Sequence, residues 1–288
     1  MSDFTVKRIV CGDITLNIAE CGSGPPVIFL HGFPEHWRAF APIMEILNGQ
    51  FHCIAPDQRG YGFSDRPLTT QSYNIDYLAD DIAALIDTMG LAKAHIVAHD
   101  WGGLVAWHFA SRHVALLERL IIFNAPHPYC LQHSLNTDPA QRLASNYAAR
   151  FSKKDAHVDI LARAPESLWQ SFFGADERAG KISPDQKAAI LEAWEQEGAW
   201  PAMLNWYRAA DFDYQGETTT LRLPPALIKA PTLLIWGDQD PMFAPSALYG
   251  HYNIVENFTL KIVRGGGHAV FRDDPIHYGE IVRDFLLI

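Results

Sequence analysis

The chain has 288 residues, 48% of them hydrophobic, with 18 prolines, 20 glycines and a formal net charge of −10. That length supports one large core, or a core carrying an inserted subdomain, and the acidic balance argues against a nucleic-acid partner, whose phosphates it would repel. The first ten residues lack the apolar stretch of a signal peptide and no apolar run approaches membrane-spanning length; Cys11, Cys21, Cys53 and Cys130 show no C-x-x-C spacing, so packed, reduced thiols of a cytoplasmic protein are expected.

Thr5 to Val10 and Ile14 to Glu20 alternate about Cys11-Gly12-Asp13, which predicts a hairpin. Short apolar runs then follow at Val27 to Leu30, His52 to Ala55, Ala94 to Ala98 and Leu117 to Phe123. They are separated by helical patterns near Trp37 to Leu47, Ile75 to Met89 and Gly102 to His113. Continuous apolar strands separated by helices predict a mostly parallel sheet covered on both faces, an α/β architecture. From about His127 to Pro224 strands give way to helical stretches rich in aromatics, among them Trp169, Phe172, Trp194, Trp206 and Tyr207. We read residues 127–224 as an inserted helical cap and 1–126 with 225–288 as the core. The strand Thr232 to Trp236, a helix near Pro245 to Tyr252, the strand Thr259 to Val263 and the helix Pro275 to Leu287 resume the alternation. In open α/β sheets ligands bind beyond the carboxyl ends of the strands, where such an insertion would sit. Most of the cap aromatics are expected to pack, with one or two facing the site.

Asp100 occupies the middle of Ala98-His99-Asp100-Trp101-Gly102, between a strand and a helix. The small-x-nucleophile-x-small pattern is the tight turn that lifts a side chain into a pocket. A carboxylate there can act as a nucleophile only by forming an ester with the substrate. An Asp before a helix also commonly serves as the N-cap, and the turn alone does not separate the two readings. A nucleophile needs companions. Gly265-Gly266-Gly267-His268 presents a histidine after a strand on flexible backbone, and Asp240, three residues past Gly237, is the acid to orient it, with Asp238 as its rival. Asn124, at the end of another strand, cannot serve as an anionic partner. The order nucleophile, acid, histidine is that of the hydrolase triad. The backbone N–H groups of Phe33, in His31-Gly32-Phe33-Pro34, and of Trp101 would converge as an oxyanion hole, with a cis Phe33–Pro34 bond expected. No two glycines lie four apart, so G-x-S-x-G is absent and Ser64 is no nucleophile. His95 and His99 share i, i+4 spacing on a strand with no third ligand, and packing is expected for both.

Together His31-Gly32-Phe33-Pro34, Asp57-Gln58-Arg59-Gly60-Tyr61-Gly62-Phe63-Ser64-Asp65, His99-Asp100-Trp101-Gly102-Gly103, Asp240 and His268 resemble, in order and over essentially the whole chain, α/β-hydrolase fold epoxide hydrolases, relatives of the haloalkane dehalogenases. The resemblance implies opening of a small apolar epoxide to a vicinal diol, with water the second reactant and no metal or organic cofactor. It assigns ring-oxygen protonation to two cap tyrosines, Tyr207 in Asn205-Trp206-Tyr207-Arg208 and Tyr147 in Asn146-Tyr147-Ala148, with Tyr129 and Tyr214 as alternatives. Asp57, Arg59 and Asp65 are expected to tie down their loop. Trp101 and Phe33 are expected to contact substrate. A dehalogenase using the same Asp is the second reading. Trp101 would then hold the halide, with Trp169, Trp194 or Trp206 as the second donor, because Phe33 stands where many dehalogenases carry Asn. A non-catalytic ligand-binding relative is the third. A homodimer is compatible with all three.

Overall fold

The structure is a computed structural model and describes residues 4–216 and 226–288. The expected cap-to-core boundary at 224/225 lies outside the described residues. The chain opens with the hairpin β1 (Thr5–Cys11) and β2 (Ile14–Cys21), whose strands pair antiparallel. Then come β3 (Pro26–Leu30), α1 (Ala41–Leu47), β4 (His52–Pro56), α2 (Ile75–Thr88), β5 (Ala94–His99), α3 (Asp100–Arg112) and β6 (Leu117–Phe123). Between β6 and the next strand the described residues carry only helices: α4 (Pro128–Thr137), α5 (Pro139–Ala144), α6 (Asn146–Phe151), α7 (Ala156–Leu161), α8 (Pro165–Arg178), α9 (Pro184–Trp194) and α10 (Ala199–Ala209). The chain ends with β7 (Thr232–Gly237), α11 (His251–Ile254), β8 (Phe258–Val263) and α12 (Pro275–Leu287).

One sheet runs in the order β1-β2-β4-β3-β5-β6-β7-β8. It is antiparallel over β1-β2-β4 and parallel from β4 to β8. The apolar runs divide by parity, because successive side chains point to opposite faces. Val27, Phe29, Val97, Ile121 and Phe123 pack with α1 and α12, whereas Ile28, Leu30, Ile96, Ala98 and Ile122 pack with α2 and α3. The second cluster runs on without a break into the cap, through Leu168, Trp169, Trp194, Met203 and Trp206. The inserted helices therefore share a core with one face of the sheet.

Local signals account for several helix starts. Asn74 caps α2 by accepting the Asp76 N–H, and Ser183 with Gln186 forms a capping box on α9. Near Pro245 to Tyr252 the structure differs from expectation. Pro245–Leu248 is a 3-10 turn and α11 begins only at His251, because Gly250 between them takes φ 98°. The four cysteines are buried free thiols. Among the described residues no helix is long and apolar enough to cross a membrane.

Candidate active site

Asp100 stands where β5 turns into α3, with a left-handed φ of 52°, a region costly to a residue bearing a Cβ. Close packing holds it there. A Cβ on Gly102 would lie 2.3 Å from the Leu30 carbonyl oxygen, and one on Gly32 would lie 2.6 Å from the Asp100 Cβ. Absent side chains at these two positions let the β3 loop and the turn approach. The N-cap of α3 is His99, which makes no side-chain cap bond. The Asp100 carboxylate instead reaches across: Oδ1 accepts the Phe33 N–H at 2.8 Å, and Oδ2 lies 3.4 Å from His268 Nε2. Asp100 does not cap its helix. The Phe33–Pro34 bond is cis.

His268 follows β8, and its Nδ1 lies 2.8 Å from Asp240 Oδ2. Asp240 is fixed in turn: its Oδ1 accepts the Met242 N–H at 2.7 Å and its Oδ2 accepts Asn124 Nδ2 at 2.7 Å. Asp238 is exposed and accepts the Gly265 N–H at 2.8 Å. The β6, β7 and β8 loops thus bring Asn124, Asp240 and His268 into one chain that ends on Asp100. Electrostatics follow from the geometry. Burial works to raise the Asp100 pKa, but the hydrogen bond and charge of His268, with His99 and the Phe33 N–H, hold it below the usual carboxylate value. Burial likewise works against a charged His268, yet Asp240 and Asp100 push its pKa up to about 10. Both shifts favour an imidazolium–carboxylate pair at neutral pH.

A cavity of about 1170 Å³ opens over this pair, and Phe33, Tyr147, Phe172 and Tyr207 line it. Tyr129 and Tyr214 do not line it. The Tyr147 and Tyr207 rings stand edge to face, 6.2 Å between centroids. Burial above all, with the Asp100 charge adding to it, raises both phenol pKa values well above 10, so each hydroxyl is a protonated donor at neutral pH. Trp101 is not among the lining residues; its ring packs edge-on against Tyr207 at 5.0 Å and Trp206 at 5.8 Å. The indole N–H groups of three other tryptophans are directed elsewhere. Trp169 donates to Glu177 at 2.8 Å, Trp194 to the Pro34 carbonyl at 2.7 Å and Trp206 to the Arg59 carbonyl at 2.9 Å. None of the three is left to hold a halide; the last two pin the cap to the core.

The loop after β4 is tied down by side chains. Asp57 accepts from Asn17 Nδ2, the Trp37 N–H and the Phe63 N–H, Arg59 pairs with Asp81, and Asp65 accepts the Thr15 N–H. The sequence reading missed a second polar group in the site wall. His99 faces His268, 4.7 Å between ring centroids, and its Nδ1 lies 3.7 Å from Glu35 Oε2. Glu35 is ion-paired with Arg272, which also bonds Asp176 of α8 at 2.9 Å. These residues lie far apart in the chain, and only the place of Glu35 next to Pro34 hinted at a site role. His95 packs beside Phe51 instead. Among the described residues no group of three or more His, Cys, Asp or Glu could hold a metal ion.

A tight turn bearing Asp100 at the end of a parallel strand, joined to His268 and Asp240 from two further strand ends beneath a helical insertion, is the arrangement a hydrolase of this architecture would use. The family model described as "alpha/beta hydrolase fold" matches residues 25–275, and the chain belongs to that family. Its relatives narrow the branch. The chain is 34% identical over 276 residues to AB hydrolase superfamily protein YfhM of Bacillus subtilis (strain 168), covering 95% of this chain and 94% of that protein. It is 31% identical over 281 residues to Epoxide hydrolase 1 of Caenorhabditis elegans, covering 95% and 68%. The solved Bacillus megaterium epoxide hydrolase in complex with an inhibitor superposes with a TM-score of 0.90 at 30% identity, covering 98% of this chain and 100% of that one. Within the fold family, the chain is a member of the epoxide hydrolases.

Proposed function

We propose that the protein opens an epoxide to a vicinal diol through a hydroxyalkyl ester on Asp100. The observation that carries this reading is one cavity in which the Asp100 carboxylate, held between the Phe33 N–H and His268, faces the space lined by Tyr147 and Tyr207. An Asp100 oxygen attacks an epoxide carbon; the new ester C–O bond forms as the ring C–O bond breaks. The departing oxygen is a strong base and is met by the two phenol donors. Esterification also removes the Asp100 charge that helps hold the His268 proton. The imidazolium then releases a proton, which balances the one taken up by the alkoxide.

Neutral His268, oriented by Asp240, next takes a proton from water, and the oxygen attacks the Asp100 carboxyl carbon. The Phe33 and Trp101 N–H groups hold the tetrahedral oxyanion. Collapse breaks the ester bond, the remaining proton of the water passes to the leaving diol oxygen, and the imidazolium–carboxylate pair is restored. A single turnover with enzyme in excess, in water carrying a heavy oxygen isotope, tests the route. The first diol should carry no label, and the label should appear in the peptide containing Asp100. Label in the first diol would mean that water attacks the epoxide directly.

A further inference from the structure

The cavity over Asp100, about 1170 Å³, exceeds the roughly 300–1,000 Å³ of ordinary small-molecule pockets and far exceeds what an epoxide ring needs. Its lining is of two kinds. Beside Asp100 the rings of Phe151, Phe172 and Tyr207 pack on Phe33, whose N–H bonds that carboxylate; α6, α7 and the turn joining them add apolar Ala156, Val158 and Ile160 together with the solvent-exposed cations Arg150, Lys153 and Lys154. We propose that the preferred substrate is an elongated epoxide carrying an anionic group at the end remote from the ring, and that Arg150, Lys153 and Lys154 recognise that group. This rests on the epoxide-opening reading above and names the substrate class for the same site.

Three observations support it. First, Arg150, Lys153 and Lys154 are exposed and make no ion pair among the described residues. Other cations of the cavity wall are engaged: Arg163 with Ser167 and Ser171, Arg272 with Glu35 and Asp176. Second, the charge at this rim runs against that of the whole. Arg150, Lys153, Lys154 and Arg163 outnumber the rim carboxylates Asp155 and Asp159 in a chain of net charge −10. A local cationic excess at the mouth of an apolar cleft concentrates anions there, and amine or guanidinium donors bond carboxylate-like groups more strongly than neutral ones. Third, the turn is anchored to the chemistry. Arg208 Nε donates to the Lys153 carbonyl at 3.2 Å, so the cations are tied to the residue next to Tyr207. The apolar lining gives a hydrocarbon chain the surface to bury.

The test is a homologous series of terminal epoxides bearing a carboxylate at the far end, each paired with its methyl ester, assayed for kcat/KM at low and high salt. At the best chain length the acid should be preferred about tenfold, the effect of a few partly screened ion pairs. The preference should shrink as salt shortens the screening length from ~10 Å at 0.1 M to ~3 Å at 1 M. In the triple variant Arg150→Gln, Lys153→Gln, Lys154→Gln the acid-to-ester ratio should fall to near one. Equal rates for acid and ester at every length, or a preference undiminished in the triple variant, would overturn the assignment while leaving epoxide opening in place. Failure to turn over any epoxide, neutral ones included, would remove the epoxide reading and this inference with it.

Discussion

Replacing Tyr207 with Phe removes one hydroxyl and little else, which makes it the sharpest probe of how the ring oxygen leaves. The aromatic ring keeps its edge-on contacts with Phe33 at 5.1 Å, Trp101 at 5.0 Å and Phe151 at 5.3 Å, so the wall of the cavity is preserved. What is lost is a hydrogen bond to an oxygen gaining negative charge, worth about 1.5–3 kcal/mol. At about 1.4 kcal/mol per factor of ten, ring opening should slow by roughly 10- to 150-fold. Tyr147→Phe should do the same by the same physics, and the double variant should approach the product of the two effects if each hydroxyl donates independently. Rapid-quench single turnovers, following disappearance of epoxide separately from appearance of diol, read the opening step directly. Ring opening within about twofold of the parent in both single variants and the double, with folding intact by circular dichroism, would refute the reasoning. The leaving oxygen would then be protonated elsewhere, and the case for an epoxide over a halide would lose its basis.

Asn124→Leu removes the donor to Asp240 Oδ2 and the acceptor of the Gly237 N–H. Ester hydrolysis, which needs an oriented His268, should slow about 10- to 100-fold and ring opening less, so quenched mass spectra should show the ester accumulating on Asp100. Arg272→Met strands the buried Glu35, whose pKa is held at about 2, against the pull of burial, chiefly by Arg272. Urea unfolding should show a loss of about 3–5 kcal/mol, partly recovered by adding Glu35→Gln. The pH dependence has a definite sign. His268 is raised in the folded state from 6.5 to about 10, so its contribution to stability is complete below about 6.5 and is lost as pH rises through about 10. Melting temperature plotted against pH should fall across that window in the parent, and His268→Gln should flatten the fall.

Much of the site is legible because its signals are local. The turn around Asp100 is readable from small residues two places to either side, of which Gly102 leaves room for the close approach of the β3 loop. All eight strands show as apolar or alternating runs before any fold is known, and a glycine explains why the helix expected near Pro245 to Tyr252 is shorter, since Gly250 breaks the run before His251. Asn124 cannot be an anionic partner, yet its amide bridges Asp240 and Gly237. No composition or spacing marks an amide as the support of an acid 116 residues away.

The amino-acid sequence alone determined the alternating α/β plan, the carboxylate at position 100 and the chain order of Asp100, Asp240 and His268. These depend on side-chain period, on backbone permissiveness and on residue type, all of which act over a few neighbouring positions. Only the tertiary structure decided which of four tyrosines line the cavity with Asp100, where the tryptophan N–H groups point, and that Glu35, His99 and Arg272 meet beside His268. Those outcomes depend on which strand ends and cap helices converge in space. A buried charge or donor is defined by the partner that folding brings to it.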